Sequence, residues 1–419
     1  MADSKIDDKG ERGILERALG LFAEVHKGEA LTALLLTFNV FAILVAYYLL
    51  KVVREPLILE GGGAALKSYT TAGQAFVLIG LVTAYSQLAK RVDRIKLITF
   101  LMLFFAGCLV VFYALAWMKV PYLGIAFYVW VGCFNVTAIA QFWSFANDIY
   151  TQEEGKRLFA IIGVGSSLGA MLGAKIAGWM VVPLGPYNMM LAAAAILILC
   201  LFISGVVHAR EKDRGDDARK KEASTPPGSR GGMKVILEDK YLILLAVLTL
   251  VLNLVNSTGE YILDRTLGEA VAAGNMGGLT EKQFYGTFKA EFYFMVNTIG
   301  FLVQLFLVSR IFKYLGVRVA IFILPCIALG SYSLIALYPI IQYVRIGKTA
   351  ENSADYSVQN TARQALFLPT SREAKYSAKQ FIDTFVVRIG DMASALVVFV
   401  GLSMKFGTRE FALTNLVLV

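Results

Sequence analysis

The chain has 419 residues, 57% of them hydrophobic and 17% charged, with a mean hydropathy of +0.63 and a formal net charge of +9. Soluble domains are roughly 45–50% apolar and about 25% charged, so these figures exclude a large water-soluble enzyme and leave lipid as the solvent for the surplus apolar surface. Two separated histidines, His26 and His208, and four cysteines each standing alone inside an apolar run exclude a CxxC metal centre and a Ser-His-Asp triad, so neither cofactor nor metal is expected.

The first segment, 1–29, mixes acids with bases and has no early apolar core, unlike a secretory signal or a transit peptide. Within it, Glu11 to Val25 has the pattern of an amphipathic helix lying along the membrane face. Runs of about 20 mostly apolar residues, the length a span needs, follow at 31–50, 70–89, 97–118, 121–147, 157–182 and 187–208. A charged, then Ser/Pro/Gly-rich break at 209–238 has the composition of a linker. Further spans follow at 239–262, 286–309, 318–337, 339–366 and 377–402. The last apolar run, 410–419, is half the length of a span and is expected to be a truncated twelfth helix. The expected fold is an all-α, 6+6 transmembrane bundle of the major-facilitator type, with halves at 30–208 and 239–419.

Connections after even-numbered spans are basic, as at Lys90, Arg91, Arg94 and Lys96, whereas those after the third, fifth and ninth hold almost no positive charge. The positive-inside bias then places both termini and the linker in the cytoplasm, with the spans in a bacterial inner membrane. The halves also repeat. An offset of 214 superimposes Asn39 on Asn253, Tyr47 on Tyr261, Lys51 on Arg265 and Glu55 on Glu269. An offset of 219 superimposes Thr151, Glu154 and Lys156 on Thr370, Glu373 and Lys375. Nearly one offset, kept in chain order, argues for duplication.

The first, fourth, seventh and tenth spans are the polar ones, and the tenth alone contains Arg345, Lys348, Glu351, Asp355 and Arg363. A charge facing lipid at mid-depth costs about 3 kcal/mol or more, so these four helices are expected to surround a polar cavity. Lys51, Arg54, Arg265, Arg345, Arg363 and Lys379 are its candidate anion readers, since phosphate and carboxylate suit guanidinium forks and ammonium points. Trp143, Asn147, Asn256 and Glu260 are the polar and aromatic candidates beside them, with Tyr47, Tyr48, Phe142, Phe145 and Tyr261 as further rings. Packing explains such aromatics equally well, and snorkelling from a helix end explains Lys51, Arg54 and Glu55 equally well. Lys51 with Glu55, and Arg265 with Glu269, have i,i+4 spacing that suits either a local pair or a repeated gate. Glu55, Glu154, Lys156, Glu291 and Asp383 are the gating or coupling candidates, and Asp391 is a further deep acid. Gly165, Gly169 and Gly173 form a small-residue stripe suited to close helix packing, and Lys175 in the same helix stands out as a lone cation.

Three segments carry a family resemblance: YYLLKVVREPLIL (47–59), FWSFANDIYTQEEGKRLFAIIGVGSS (142–167), and ADYSVQNTARQALFLP with KQFID (354–369 and 379–383). They resemble the ATP/ADP antiporter family of bacteria and plastids. The resemblance implies a twelve-helix facilitator that exchanges ATP for ADP or a related nucleotide. It carries the family's functional charges onto Lys51 and Arg54, Glu154, Arg363 and Lys379. The chain departs from the pattern at Asn256, where many members have an acid, and at QNTARQ (359–364), where the family reads roughly FDPCKE. The expected partners are therefore a nucleotide or other small anion and the bilayer, with no nucleic acid. A proton-coupled facilitator for another organic anion or a peptide is the alternative, and a non-transporting scaffold or sensor is the third.

Overall fold

A computed structural model describes residues 25–26, 29–89, 92–212, 232–371, 374 and 378–419, and these are helical throughout with no strand. The amphipathic segment 11–25, apart from Val25, and the middle of the linker lie outside the described residues.

The run Ala30–Ala89 breaks at Gly62 and Gly63 into α1 (30–61) and α2 (64–89). Gly63 takes a left-handed φ of 67°, a conformation that only glycine adopts cheaply, and this turns the chain back on itself. The remaining N-half helices are α3 (Arg94–Trp117), α4 (Leu123–Ile149), α5 (Gln152–Val181) and α6 (Gly185–Lys212). After the short helix Gly232–Glu238 comes α7 (Lys240–Ala272), followed by α8 (Glu281–Tyr314), α9 (Gly316–Leu337), α10 (341–366), α11 (Lys379–Ser403) and α12 (Thr408–Leu418). Nine helical runs among the described residues are long and apolar enough to cross a membrane, and the first of them, Ala30–Leu81, contains both α1 and part of α2. Helices cover the expected apolar runs in the expected order, although the tenth, 341–366, is too polar to be among those nine.

One boundary differs in a way that matters. The first apolar run ends at residue 50, but α1 continues through Pro56 to residue 61. Lys51, Arg54 and Glu55 thus sit inside a buried helix, and Glu55 has no exposed surface. Snorkelling from a helix end does not describe them.

The glycine stripe performs the packing expected of it. A Cβ on Gly165 would lie 2.5 Å from the Thr37 carbonyl oxygen, and one on Gly169 would lie 2.6 Å from that of Phe41. A Cβ on Gly173 would lie 2.8 Å from Val45 Cα. Close contact between α5 and α1 is thereby set over a little more than two turns. At the linker end of the same pair, Arg157 donates two hydrogen bonds of 3.0 and 3.1 Å to Glu29. Burial raises the Glu29 carboxyl, but the Arg157 guanidinium and the His26 backbone N–H outweigh it and hold the group below its ordinary value.

Gly169→Leu is expected to force α5 off α1 and destabilise the N-half by about 1–3 kcal/mol or more. Detergent thermal unfolding would show this as a lower Tm and a smaller monodisperse yield than Gly169→Ala gives.

Candidate functional site

A polar cavity of about 190 Å³ lies between the halves, walled by α1, α2, α4, α7, α8, α10 and α11. Lys51 and Arg54 reach it from α1, Asn256 and Glu260 from α7, and Asn352 and Tyr356 from α10. Tyr128 enters from α4, Tyr261 from α7 and Tyr293 from α8. Of the four polar helices expected to face one cavity, α1 and α7 bring Lys51, Arg54, Asn256 and Glu260 there, whereas α4 adds only Tyr128 and α10 only Asn352 and Tyr356, none of its expected charges.

The two α1 cations are held differently. Lys51 Nζ lies 3.9 Å above the Tyr293 ring and 5.2 Å from that of Tyr48, with no carboxylate at ion-pair distance among the described residues. Arg54 stacks over Tyr128 at 4.4 Å while its Nε donates to Glu55 at 3.2 Å. The expected Lys51–Glu55 pair does not form. Glu55 instead accepts from Lys67 at 2.5 Å and from the Tyr293 hydroxyl at 3.1 Å.

Those contacts belong to a larger lattice of buried charge. Lys67, on α2, donates to Asp264 of α7 at 2.7 Å, and Lys289, on α8, lies 2.5 Å from the other oxygen of Asp264. Lys289 also stands 3.9 Å from both Glu55 and Glu260. Each acid therefore neutralises a cation from another helix, and Lys67–Asp264 and Lys289–Glu55 tie one half to the other. A third pair, Lys282–Glu60 at 2.9 Å, joins the halves at the same level. Neutral hydrogen bonds follow suit: Tyr48 donates to Asn297 at 3.0 Å, and Gln283 donates to the Val182 carbonyl at 3.3 Å. Among the described residues, the ion pairs that join the halves all lie toward the membrane face remote from the linker. The halves are clamped there.

Deeper in the C-half, Lys348 donates to Asn256 Oδ1 at 2.8 Å and pairs with Glu351 at 3.1 Å, while Tyr332 donates to Glu351 at 2.8 Å. Asn352 donates to Glu260 at 2.8 Å. Asp391 lines the cavity and accepts from Asn253, Ser257 and Arg388 at 2.8–2.9 Å. Each of these charges has a partner, as burial in low dielectric requires.

Several expected site residues lie elsewhere. Arg265 pairs locally with Glu269 at 3.0 Å and donates to the Phe406 carbonyl at 2.8 Å, which ties α7 to the start of α12. Arg345 pairs with Glu291 at 3.0 Å on the outer side of α8 and α10, so neither lines the cavity. Trp143 packs against Phe142 and Phe159, and Asn147 is exposed at the end of α4. Glu154 forms a capping box with Thr151, satisfying the first turn of α5. The Lys156 side chain lies outside the described residues. Arg363 and Asp383 face each other at 3.9 Å in a second cavity of about 280 Å³ within the C-half, while Lys379 hydrogen-bonds Gln364 at an exposed position outside its lining. Asn256 lines both cavities.

Sequence reasoning passed over Lys67, Asp264 and Lys289. Lys67 precedes the apolar run that starts at 70, Asp264 follows the one that ends at 262, and both therefore read as loop. Lys289 carried a usable signal, as a lone lysine early in an apolar span.

Residues 144–347 match the family model described as the Major Facilitator Superfamily. The fold is also that of solved transporters. The structure described as nucleoside transporter NupG superimposes with a TM-score of 0.66 at 9% identity, covering 92% of this chain and 97% of that one. The POT family transporter PepTSo gives 0.63 at 11% identity, covering 92% and 96%. The chain thus has the fold of a multi-pass helical membrane bundle like that of major-facilitator transporters, with the family match covering residues 144–347. By sequence it is a divergent relative of "ADP,ATP carrier protein 1" of Chlamydia muridarum, 22% identical over 304 residues, covering 63% of this chain and 55% of that protein. The protein of that name from Chlamydia pneumoniae is 20% identical over 323 residues, covering 65% and 59%. The chain thus spans little more than half the length of these relatives.

The lattice generates a stability prediction. Asp264→Asn leaves Lys67 and Lys289 short of an acid and is expected to destabilise the protein by about 3–5 kcal/mol. Adding Lys289→Met should recover most of that loss in thermal unfolding, because charge balance is restored.

Proposed function

We propose that this protein exchanges adenine nucleotides, ATP for ADP or a close relative, by alternating access of the central cavity. The observation that carries the reading is Lys51. It is a buried ammonium in a cavity between two halves, stabilised by tyrosine faces and lacking an ion-paired carboxylate among the described residues. Such a group is costly without an anion and strongly favourable with one. Arg54 adds a guanidinium beside it, already half committed to Glu55 and able to turn toward an arriving phosphate. Tyr128, Tyr261, Tyr293 and Tyr356 offer flat faces for a base. Distant similarity to proteins named ADP,ATP carriers supports the same substrate class.

In this reading the N-half (30–208) and C-half (239–419) rock about the cavity, and the clamp at the far face opens as the linker face closes. The N-terminus and the linker lie in the cytoplasm of a bacterial cell, a placement supported by the basic connections after even-numbered helices. Arg363 and Asp383, which line the second cavity, stand in this reading on the approach from the linker side rather than at the binding position itself.

A second reading is favoured by one observation: Glu260 lines the same cavity and keeps 26% of its side-chain surface exposed. An acid so placed suits a proton-coupled facilitator of another organic anion or of a peptide.

Labelled ATP uptake into proteoliposomes loaded with ADP separates the two. Exchange predicts stimulation by internal ADP and a roughly 10–100-fold loss in Lys51→Met, equivalent to about 1.5–3 kcal/mol for a charge-assisted contact, with Tm unchanged or raised. Uptake that ignores internal nucleotide, follows a pH gradient and vanishes in Glu260→Gln would contradict exchange.

A further inference from the structure

Lys175 is the one charge in the apolar stretch 158–181 of α5, and the central site does not use it. It lies in a groove of about 230 Å³ formed by Ala174, Gly178 and Trp179 of α5 and by Thr287, Ala290 and Phe294 of α8. The groove therefore runs along the seam between the halves. The two helices nearly touch at its floor, where a Cβ on Gly178 would lie 3.3 Å from that of Ala290.

We propose that this groove holds the headgroup of an anionic phospholipid. Three independent observations converge on that chemistry. First, Lys175 has no carboxylate at ion-pair distance among the described residues, and its Nζ is flanked only by the Phe294 ring at 5.0 Å and the Trp179 ring at 5.7 Å. The acid that shares the groove, Glu291, is engaged by Arg345 at 3.0 Å instead. Second, the Thr287 hydroxyl is buried in the groove wall with no hydrogen-bond partner among the described residues, a spare donor on the α8 wall facing the groove that Lys175 lines from α5. A phosphodiester accepts from both. Third, the groove opens outward: Trp179 is 67% exposed and Met295 on the neighbouring face is 45% exposed, on helices whose outer surface meets lipid.

Depth agrees with this assignment. Lys175 lies six residues before the end of α5 at Val181, and Thr287 lies six residues after the start of α8 at Glu281. At 1.5 Å per residue both stand roughly 9 Å inside the face remote from the linker. A lysine stem reaches from there to the headgroup layer. The acyl chains then lie over Trp179 and Phe294. Because one wall of the groove belongs to each half, a bound lipid bridges the seam on the side where the ion pairs already clamp it.

Native mass spectrometry of the full chain in detergent, titrated with phosphatidylglycerol, tests the assignment. One lipid is expected to survive activation per wild-type chain. Retention should fall at least fivefold in Lys175→Gln, persist in Lys175→Arg and drop in Thr287→Val, while soluble glycerol 3-phosphate should not displace the lipid. Should Lys175→Gln fail to fold, Thr287→Val and the glycerol phosphate competition decide alone. Equal retention in the wild type and the folded variants, or displacement by glycerol phosphate, would overturn the proposal.

Discussion

Four buried charges organise this helical bundle: Glu55, Lys67, Asp264 and Lys289. In a low-dielectric interior an isolated ion is prohibitive, so each group must find its complement before the helices can close. The complements come from different helices, α1, α2, α7 and α8, and from both halves. Helix association in lipid lacks the hydrophobic drive available in water and relies on packing and polar contacts. Here the glycine stripe packs α5 on α1 within one half, while at the face remote from the linker the ion pairs join the halves beside an apolar cluster of Ile58, Leu59, Leu267 and Tyr285. Ion pairs of that kind are specific yet can be exchanged for water and ligand.

The same physics separates the binding position from the clamp. Arg54 belongs to both, contacting the cavity and donating to Glu55. Lys51 belongs to the cavity alone. On the proposed function, a ligand anion that recruits Arg54 would remove one partner from Glu55, linking occupancy of the site to the strength of the clamp through a single guanidinium. The C-half contributes its own satisfied network of Lys348, Glu351, Asn256 and Tyr332, which fixes α7 against α9 and α10 and leaves Glu260 pointing at the cavity.

Much of the architecture was legible in the sequence, because hydrophobic run length and charge bias act on each segment separately. The apolar helices, their order and the stripe of small residues all follow from local pattern. The site was legible where polarity interrupted an apolar run, as at Asn256 and Glu260. It was hidden where a polar helix end lay next to a turn. Residues 51–61 look like a helix terminus, yet burial between α2, α7 and α8 lets the helix continue. Lys67 and Asp264 look like loop charges until tertiary packing sets them 2.7 Å apart across 197 residues of chain. Arg265 shows the opposite error: internal repetition equates it with Lys51, yet α12 draws it outward to the Phe406 carbonyl. Duplication preserves residue type more faithfully than it preserves partners.

Pulsed electron–electron distance measurement between spin labels at Gly61 and Asn275, in the turns that join α1 to α2 and α7 to α8, tests the clamp directly. The account predicts a short, narrow distribution in the unliganded protein and a longer, broader one when Lys67 is changed to Met or Asp264 to Asn. Distributions that stay the same in these variants would contradict the claim that buried ion pairs hold the halves together at that face.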